Sequence, residues 1–132
     1  MSFYLWLAVG GALGTLARFG ISVLMTEHLG TAFPWGTLIV NVTGSLVIGF
    51  FATLTAGEGR WIVSQVTRQF VMTGILGGFT TFSSFSLQTL ILAREGEWFR
   101  AGANAVGSLI LCLVAVWLGH YAALAVNASQ DS

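Results

Sequence analysis

Gly74-Ile75-Leu76-Gly77-Gly78-Phe79-Thr80-Thr81-Phe82-Ser83-Ser84-Phe85-Ser86 lies in the middle of an apolar run from Ile62 to Leu92. A single helix over that run would extend about 46 Å at 1.5 Å per residue. The hydrocarbon core of a bilayer is only about 30 Å thick. Paired glycines followed by threonines and serines also make poor helix interior, because glycine loses the most backbone freedom and hydroxyls compete for backbone groups. The run is therefore expected as two half-helices with a break near Gly77 to Thr81. Backbone that leaves its ladder at membrane depth must be enclosed by protein or line a polar cavity. Freed carbonyls suit a cation, and freed N–H groups suit an anion. This segment is the strongest sign of an ion site in the chain.

Outward from it, three more runs are long enough to cross a bilayer. They are Phe3 to Met25, interrupted by Arg18; Trp35 to Thr55, without a charge; and Phe99 to Leu118, with Arg100 at its edge and an extension towards Val126 open. The expected spans 3–25, 35–55, 62–92 and 99–118 use up most of residues 1–132, which read as one transmembrane domain. Composition agrees: 55% of residues are hydrophobic, 8% are charged, and the mean hydropathy is +0.84. A soluble domain carries about 25% charged residues, and a soluble monomer would not tolerate the apolar surface these runs would leave. No basic segment precedes Phe3, so the first run reads as a retained helix and not as a signal peptide. Cys112 is the only cysteine, which excludes a disulfide within the chain. The expected architecture is an all-α membrane protein of four transmembrane helices, the third broken at its centre.

Charge gives almost no orientation. Arg60 and Arg68 flank the side that carries both termini, against Arg18, Arg94 and Arg100 on the other, and there is no lysine. The positive-inside rule needs a larger imbalance. Either neighbouring proteins or weak biases set the orientation, or the chain inserts both ways and oppositely oriented copies pair about a two-fold axis in the membrane.

Several side chains inside the spans need an explanation. Arg18 is costly within a span; it anchors a loop or attracts anions at a pore mouth. Asn41, beside Thr43, Gly44 and Ser45, needs amide partners, so it faces another helix or a watery path. Phe82 and Phe85 are three residues apart and share a helix face, either as core packing or as lining. Ser83, Ser84 and Ser86 add hydroxyls to that half-helix or bond back to its backbone. Gly10 and Gly14 form a small-x-x-x-small pair. In the fourth run, Asn104, Gly107 and Ser108 fall near the start, with Ser108 lining a path or capping a neighbouring backbone group.

Nothing assembles a nucleophile, base and orienting group, and no nucleotide-binding motif occurs. Neither an enzyme nor a nucleic-acid or nucleotide partner is expected. A small proton-coupled exporter of cationic drugs would need a carboxylate in the membrane. The five acids, Glu27, Glu58, Glu95, Glu97 and Asp131, all lie at or outside span ends. A purely structural membrane protein would leave the Gly-Gly and Thr-Thr arrangement unexplained.

Three segments together resemble the small bacterial fluoride channel family, Fluc or CrcB. They are Gly10-Gly11-Ala12-Leu13-Gly14 through Arg18, Pro34-Trp35-Gly36-Thr37-Leu38-Ile39-Val40-Asn41-Val42-Thr43-Gly44 to Gly49, and Thr73-Gly74 with Gly77 to Ser86. Gly107-Ser108 is a weaker match, and the similarity runs from about Leu5 to Leu118. The resemblance implies a passive fluoride channel in a bacterial or archaeal plasma membrane, the inner membrane in a Gram-negative host. It implies an antiparallel dual-topology homodimer with two fluoride pathways, and a central structural sodium ion held by the backbone carbonyls of Gly77 and Thr80. Phe82 and Phe85 become ring-edge contacts for fluoride, Asn41 an amide donor and Ser108 a hydroxyl lining group. Thr81 and Ser83 lie close to the pathway, and Arg18 near an aqueous vestibule. Two positions depart from the family pattern. Ser84 stands where a threonine is common, which costs only a methyl. Cys112 stands where a fourth-span threonine often extends the polar track from Ser108, and a thiol is the weaker donor.

Overall fold

The computed structural model describes residues 2–56 and 61–131. The turn expected over Gly57-Glu58-Gly59-Arg60 lies outside the described residues, and with it Arg60's share of the charge count. Everything regular among the described residues is helical: α1 (Ser2–Leu29), α2 (Trp35–Leu54), α3 (Gln65–Gln69), a π-helical segment (Phe70–Leu76), α4 (Gly77–Phe79), α5 (Phe82–Arg94) and α6 (Trp98–Asp131). Four stretches are long and apolar enough to cross a membrane: Ser2–Leu29, Trp35–Leu54, Gln65–Arg94 and Trp98–Ser129. The third is the composite of α3 to α5, so the all-α, four-span architecture with a broken third helix is the observed one.

The breaks between spans have local causes. Gly30 (φ +82°) and Gly96 (φ +80°) adopt left-handed backbone just beyond α1 and α5, a conformation that glycine takes without penalty. Their N–H groups donate to the carbonyls of Thr26 and Ala93 at 3.0 and 3.1 Å. Pro34 immediately precedes α2, where a missing N–H costs nothing. The third span starts at Gln65 and not at Ile62, because Ser64 caps it: its Oγ accepts from the Thr67 N–H at 3.1 Å. Arg68 ties the same end to α2. Its Nε donates to Thr55 Oγ1 and its Nη2 to the Ala52 carbonyl, both at 3.1 Å.

Glycine contacts set how closely the helices approach. Gly10 and Gly14 are the buried residues of α1. A Cβ on Gly10 would lie 2.8 Å from the Phe70 carbonyl oxygen, and one on Gly14 would strike the Ile75 carbonyl oxygen. Across the contact, a Cβ on Gly78 would lie 2.5 Å from the Gly11 carbonyl oxygen. The small-residue pair in α1 is therefore a packing surface against the first half of the third span. The α2–α6 pair, the most extensive contact in the chain, is built the same way. A Cβ on Gly49 would meet the Val116 carbonyl oxygen, and one on Gly119 the Leu46 carbonyl oxygen. Small residues let helices approach where lipid supplies no hydrophobic drive for association.

The break itself sits at Thr80 and Thr81, two residues beyond the glycine pair and within the expected stretch from Gly77 to Thr81. Thr80 (φ −93°, ψ 159°) and Thr81 (φ −154°, ψ 118°) are extended. Gly77 and Gly78 remain helical, and the missing side chain of Gly78 lets α1 approach closely. The β-branched threonines take the extended backbone that suits them.

The hydroxyl and amide chemistry of the break

The break ends one helix and starts another within two residues, and side chains from three directions replace the missing ladder. In a continuous helix the Thr81 N–H would donate to the Gly77 carbonyl. It donates instead to Asn41 Oδ1 at 2.8 Å, while Asn41 Nδ2 donates back to the Thr81 carbonyl at 3.0 Å. The amide of α2 thus pairs with the Thr81 peptide group on both sides. Thr81 Oγ1 caps α5 by accepting from the Ser84 N–H at 3.1 Å. That N–H would otherwise serve the Thr80 carbonyl. The Gly78 carbonyl is taken by Arg18, whose Nε donates to it at 3.0 Å. Thr80 Oγ1 donates to the Leu76 carbonyl at 2.9 Å, and Gly44 makes room for Thr80: a Cβ there would overlap Thr80 Cγ2.

Candidate functional site

A cavity of about 340 Å³ opens beside this break. Asn41, Gly77, Thr80, Thr81, Phe82, Phe85, Ser108 and Cys112 all line it, with Gly44, Ser45 and Ile48 of α2 and Met72 and Leu76 of the π segment. The two phenylalanine rings lie 5.4 Å apart between centroids at 52°. Ser108 is 6% exposed and Phe82 79% exposed on the single chain, so the cavity is closed by α6 on one side and open on the other. The extended residues supply polar groups in an apolar surround, and ring edges add partial positive charge. This arrangement can hold a small anion through weak donors, or a hard cation through carbonyls.

Two of the residues singled out from sequence stand elsewhere. Arg18 does not line the cavity; it braces the break from the α1 side through Gly78. Ser83 is exposed, its Oγ 3.4 Å from Thr81 Oγ1. The serine that follows, Ser84, matters here for its backbone N–H. Ser86 Oγ donates to the Phe82 carbonyl at 3.0 Å, the back-bonding considered for this half-helix.

Sequence reasoning left Asn104 and Thr89 without a role. Asn104 is 1% exposed. Its Nδ2 donates to Thr89 Oγ1 at 2.8 Å, and Thr89 Oγ1 donates to the Phe85 carbonyl at 2.8 Å. Ser108 Oγ donates to Asn104 Oδ1 at 3.2 Å. The available signal was an asparagine four residues before a serine on an apolar helix, which places both on one face. Thr53 and His120 form a second polar pair between α2 and α6, Oγ1 to Nδ1 at 2.7 Å, away from the break.

A protein-family model described as "CrcB-like protein, Camphor Resistance (CrcB)" matches residues 5–120. A protein of Opitutus terrae named "Fluoride-specific ion channel FluC" is 66% identical over 132 residues, covering 100% of both chains. Proteins of the same name from Methylocella silvestris and Rhodospirillum rubrum are 56% and 54% identical over 124 residues. These alignments cover 94% of this chain and 95% and 96% of theirs. A cavity lined by Asn41, Phe82, Phe85 and Ser108 beside a broken third span thus occurs in a chain matched over nearly its whole length, and the protein belongs to the CrcB-like family.

Proposed function

We propose that this chain is the subunit of a passive fluoride-selective channel, a single transmembrane domain that works as an antiparallel dual-topology homodimer with two pores. It is a channel and not an enzyme, and it lets fluoride leave the cytoplasm of a bacterium down its gradient. The observation that carries this is the shared cavity. Asn41, Phe82, Phe85 and Ser108 come from three helices and line one space beside backbone that has left its ladder. Fluoride is small and tightly hydrated, so a path for it must replace water with donors. Asn41 offers the second proton of its amide, Ser108 its hydroxyl, and the two rings their edges. Such binding is weak and divided among sites, as conduction requires. Thr81 lines the same space, with Ser83 on the exposed side beside it, and Cys112 extends the wall beyond Ser108.

The dimer is supported by what the single chain leaves bare. Gly77 and Ser83 are exposed beside the break, and Phe82 is 79% exposed. Polar groups and irregular backbone do not face lipid at that depth, so a second copy covers them. Membership of a family whose relatives are named as fluoride channels supports the ion.

The residues also fit the structural sodium ion. The Gly77 and Thr80 carbonyls have both lost their ladder donors, the Thr81 and Ser84 N–H groups, to Asn41 and to Thr81 Oγ1. The neighbouring Gly78 carbonyl is already occupied by Arg18. Two carbonyls from each of two copies would give four oxygen donors, the ligand type a hard cation takes. When bound, the ion would neutralise crowded carbonyl dipoles at the dimer centre. The deciding experiment is fluoride efflux from liposomes holding the purified protein, followed with a fluoride electrode. Release well above that of protein-free vesicles is expected. Folded dimers that release no fluoride would sink the proposal.

A further inference from the structure

The relay Ser108–Asn104–Thr89 joins two parts of the cavity wall, and its direction can be worked out from one end. The Phe85 carbonyl can only accept, so Thr89 Oγ1 must be the donor there, at 2.8 Å. Having spent its proton, the Thr89 oxygen accepts from Asn104, and the amide therefore presents Nδ2 to it, at 2.8 Å. That orientation turns Asn104 Oδ1 towards α6's own Ser108. Oδ1 can only accept, so the Ser108 hydroxyl proton points at it, at 3.2 Å. Asn104 is 1% exposed and Ser108 6% exposed, so bulk water does not compete freely. Ser108 lines the cavity and Asn104 does not. The result is that the resting Ser108 offers the cavity oxygen lone pairs, which repel an anion, and must turn its proton away from Asn104 to bind one.

We infer that Asn104 is a positioning residue that competes with the passing anion for the Ser108 proton, and so keeps binding at Ser108 weak enough for release. This rests on the fluoride-channel reading above. The 3.2 Å separation is longer than the roughly 2.5–3.0 Å usual for O–H···O bonds, so the bond is a weak one, as suits a contact that is exchanged at each passage. Thr89 fixes the amide's orientation, and the Phe85 carbonyl fixes Thr89. A backbone group of a residue that lines the cavity thereby sets the proton direction of another residue that lines it.

The test is the fluoride dependence of flux through the full-length channel in liposomes, with Asn104→Leu, Thr89→Val and Ser108→Ala compared with the unaltered protein. Asn104→Leu frees the Ser108 proton for fluoride. The half-saturating fluoride concentration should fall about fivefold, the effect of one neutral hydrogen bond, and maximal flux should fall with it. A merely structural role would lower maximal flux without tightening half-saturation. Thr89→Val, which touches neither Ser108 nor the cavity, removes the acceptor that orients the amide and should shift half-saturation in the same direction. Combining Asn104→Leu with Ser108→Ala should give no shift beyond that of Ser108→Ala. Unchanged half-saturation in both Asn104→Leu and Thr89→Val, or an equal shift with Ser108 absent, would overturn the inference. Unaltered protein that carries no fluoride would instead overturn the channel reading, so the two failures are distinguishable.

Discussion

Replacing Asn41 by leucine removes both hydrogen bonds to the Thr81 peptide group, at 3.0 and 2.8 Å, while keeping the same branched side-chain skeleton. Hydrogen bonds between helices in membranes average about 0.6 kcal/mol each, which sets a floor near 1.2 kcal/mol for the pair. Leaving a peptide N–H and carbonyl unpaired costs about 1–3 kcal/mol per group when they are fully buried. Thr81 is only half-buried and borders a cavity of about 340 Å³, roomy enough for water to replace part of the loss. A cost of about 2 kcal/mol follows, or about a 30-fold shift in the equilibrium that holds the break in place. Hydrogen–deuterium exchange of the purified protein, resolved at the Thr81 amide by mass spectrometry, should accelerate by about that factor. Fluoride flux should fall about tenfold with it, the effect of one lost donor. Asn41→Asp separates the two functions of the amide. It keeps an acceptor for the Thr81 N–H, so exchange there should stay slow, yet it puts a carboxylate in the anion's way and should abolish flux. Undiminished protection of the Thr81 amide in Asn41→Leu would refute the idea that Asn41 substitutes for the missing ladder.

Other expectations concern the pore wall, the packing and the insertion. Phe82→Ile and Phe85→Ile should each cut fluoride flux about tenfold through loss of a ring edge, with the dimer intact by size-exclusion chromatography; equal flux would reject the ring-edge role. Gly119→Val drives a side chain into the Leu46 carbonyl oxygen and to within 2.8 Å of the Phe50 nitrogen. It should cost about 1–3 kcal/mol, read as a lower thermal midpoint in detergent, and an unchanged midpoint would mean that α2 and α6 separate freely. Tags on the terminus should be labelled from both faces of the membrane, given two flanking arginines on one side against three on the other; labelling from one face alone would exclude dual insertion.

The four spans were legible because length and apolar purity are properties of the chain itself. The broken third span was legible for a related reason, since Gly77-Gly78 and Thr80-Thr81 are locally poor helix. Its position fell inside the expected interval, Gly77 to Thr81, at the threonine end. The glycines look like the weak point, yet they stay helical, with α1 within 2.5 Å of where a Gly78 Cβ would be, and the threonines take the extended backbone. The π-helical turn over Phe70–Leu76 has no local signature. Arg18 illustrates the same limit. Sequence left it as a loop anchor or a pore-mouth charge, but its partner is the Gly78 carbonyl sixty residues away, and no local pattern names a carbonyl freed by a distant break. Asn104 was passed over because one amide near a span end looks unremarkable until its 1% exposure and its place between Thr89 and Ser108 are known.

Vesicles loaded with both fluoride and chloride, carrying either the unaltered protein or Phe82→Ile, test the central claim most directly. Wild-type vesicles should empty of fluoride and keep their chloride, while the variant keeps most of both. Chloride escaping alongside fluoride, or fluoride leaving the variant as fast as the wild type, would contradict a selective path beside the break.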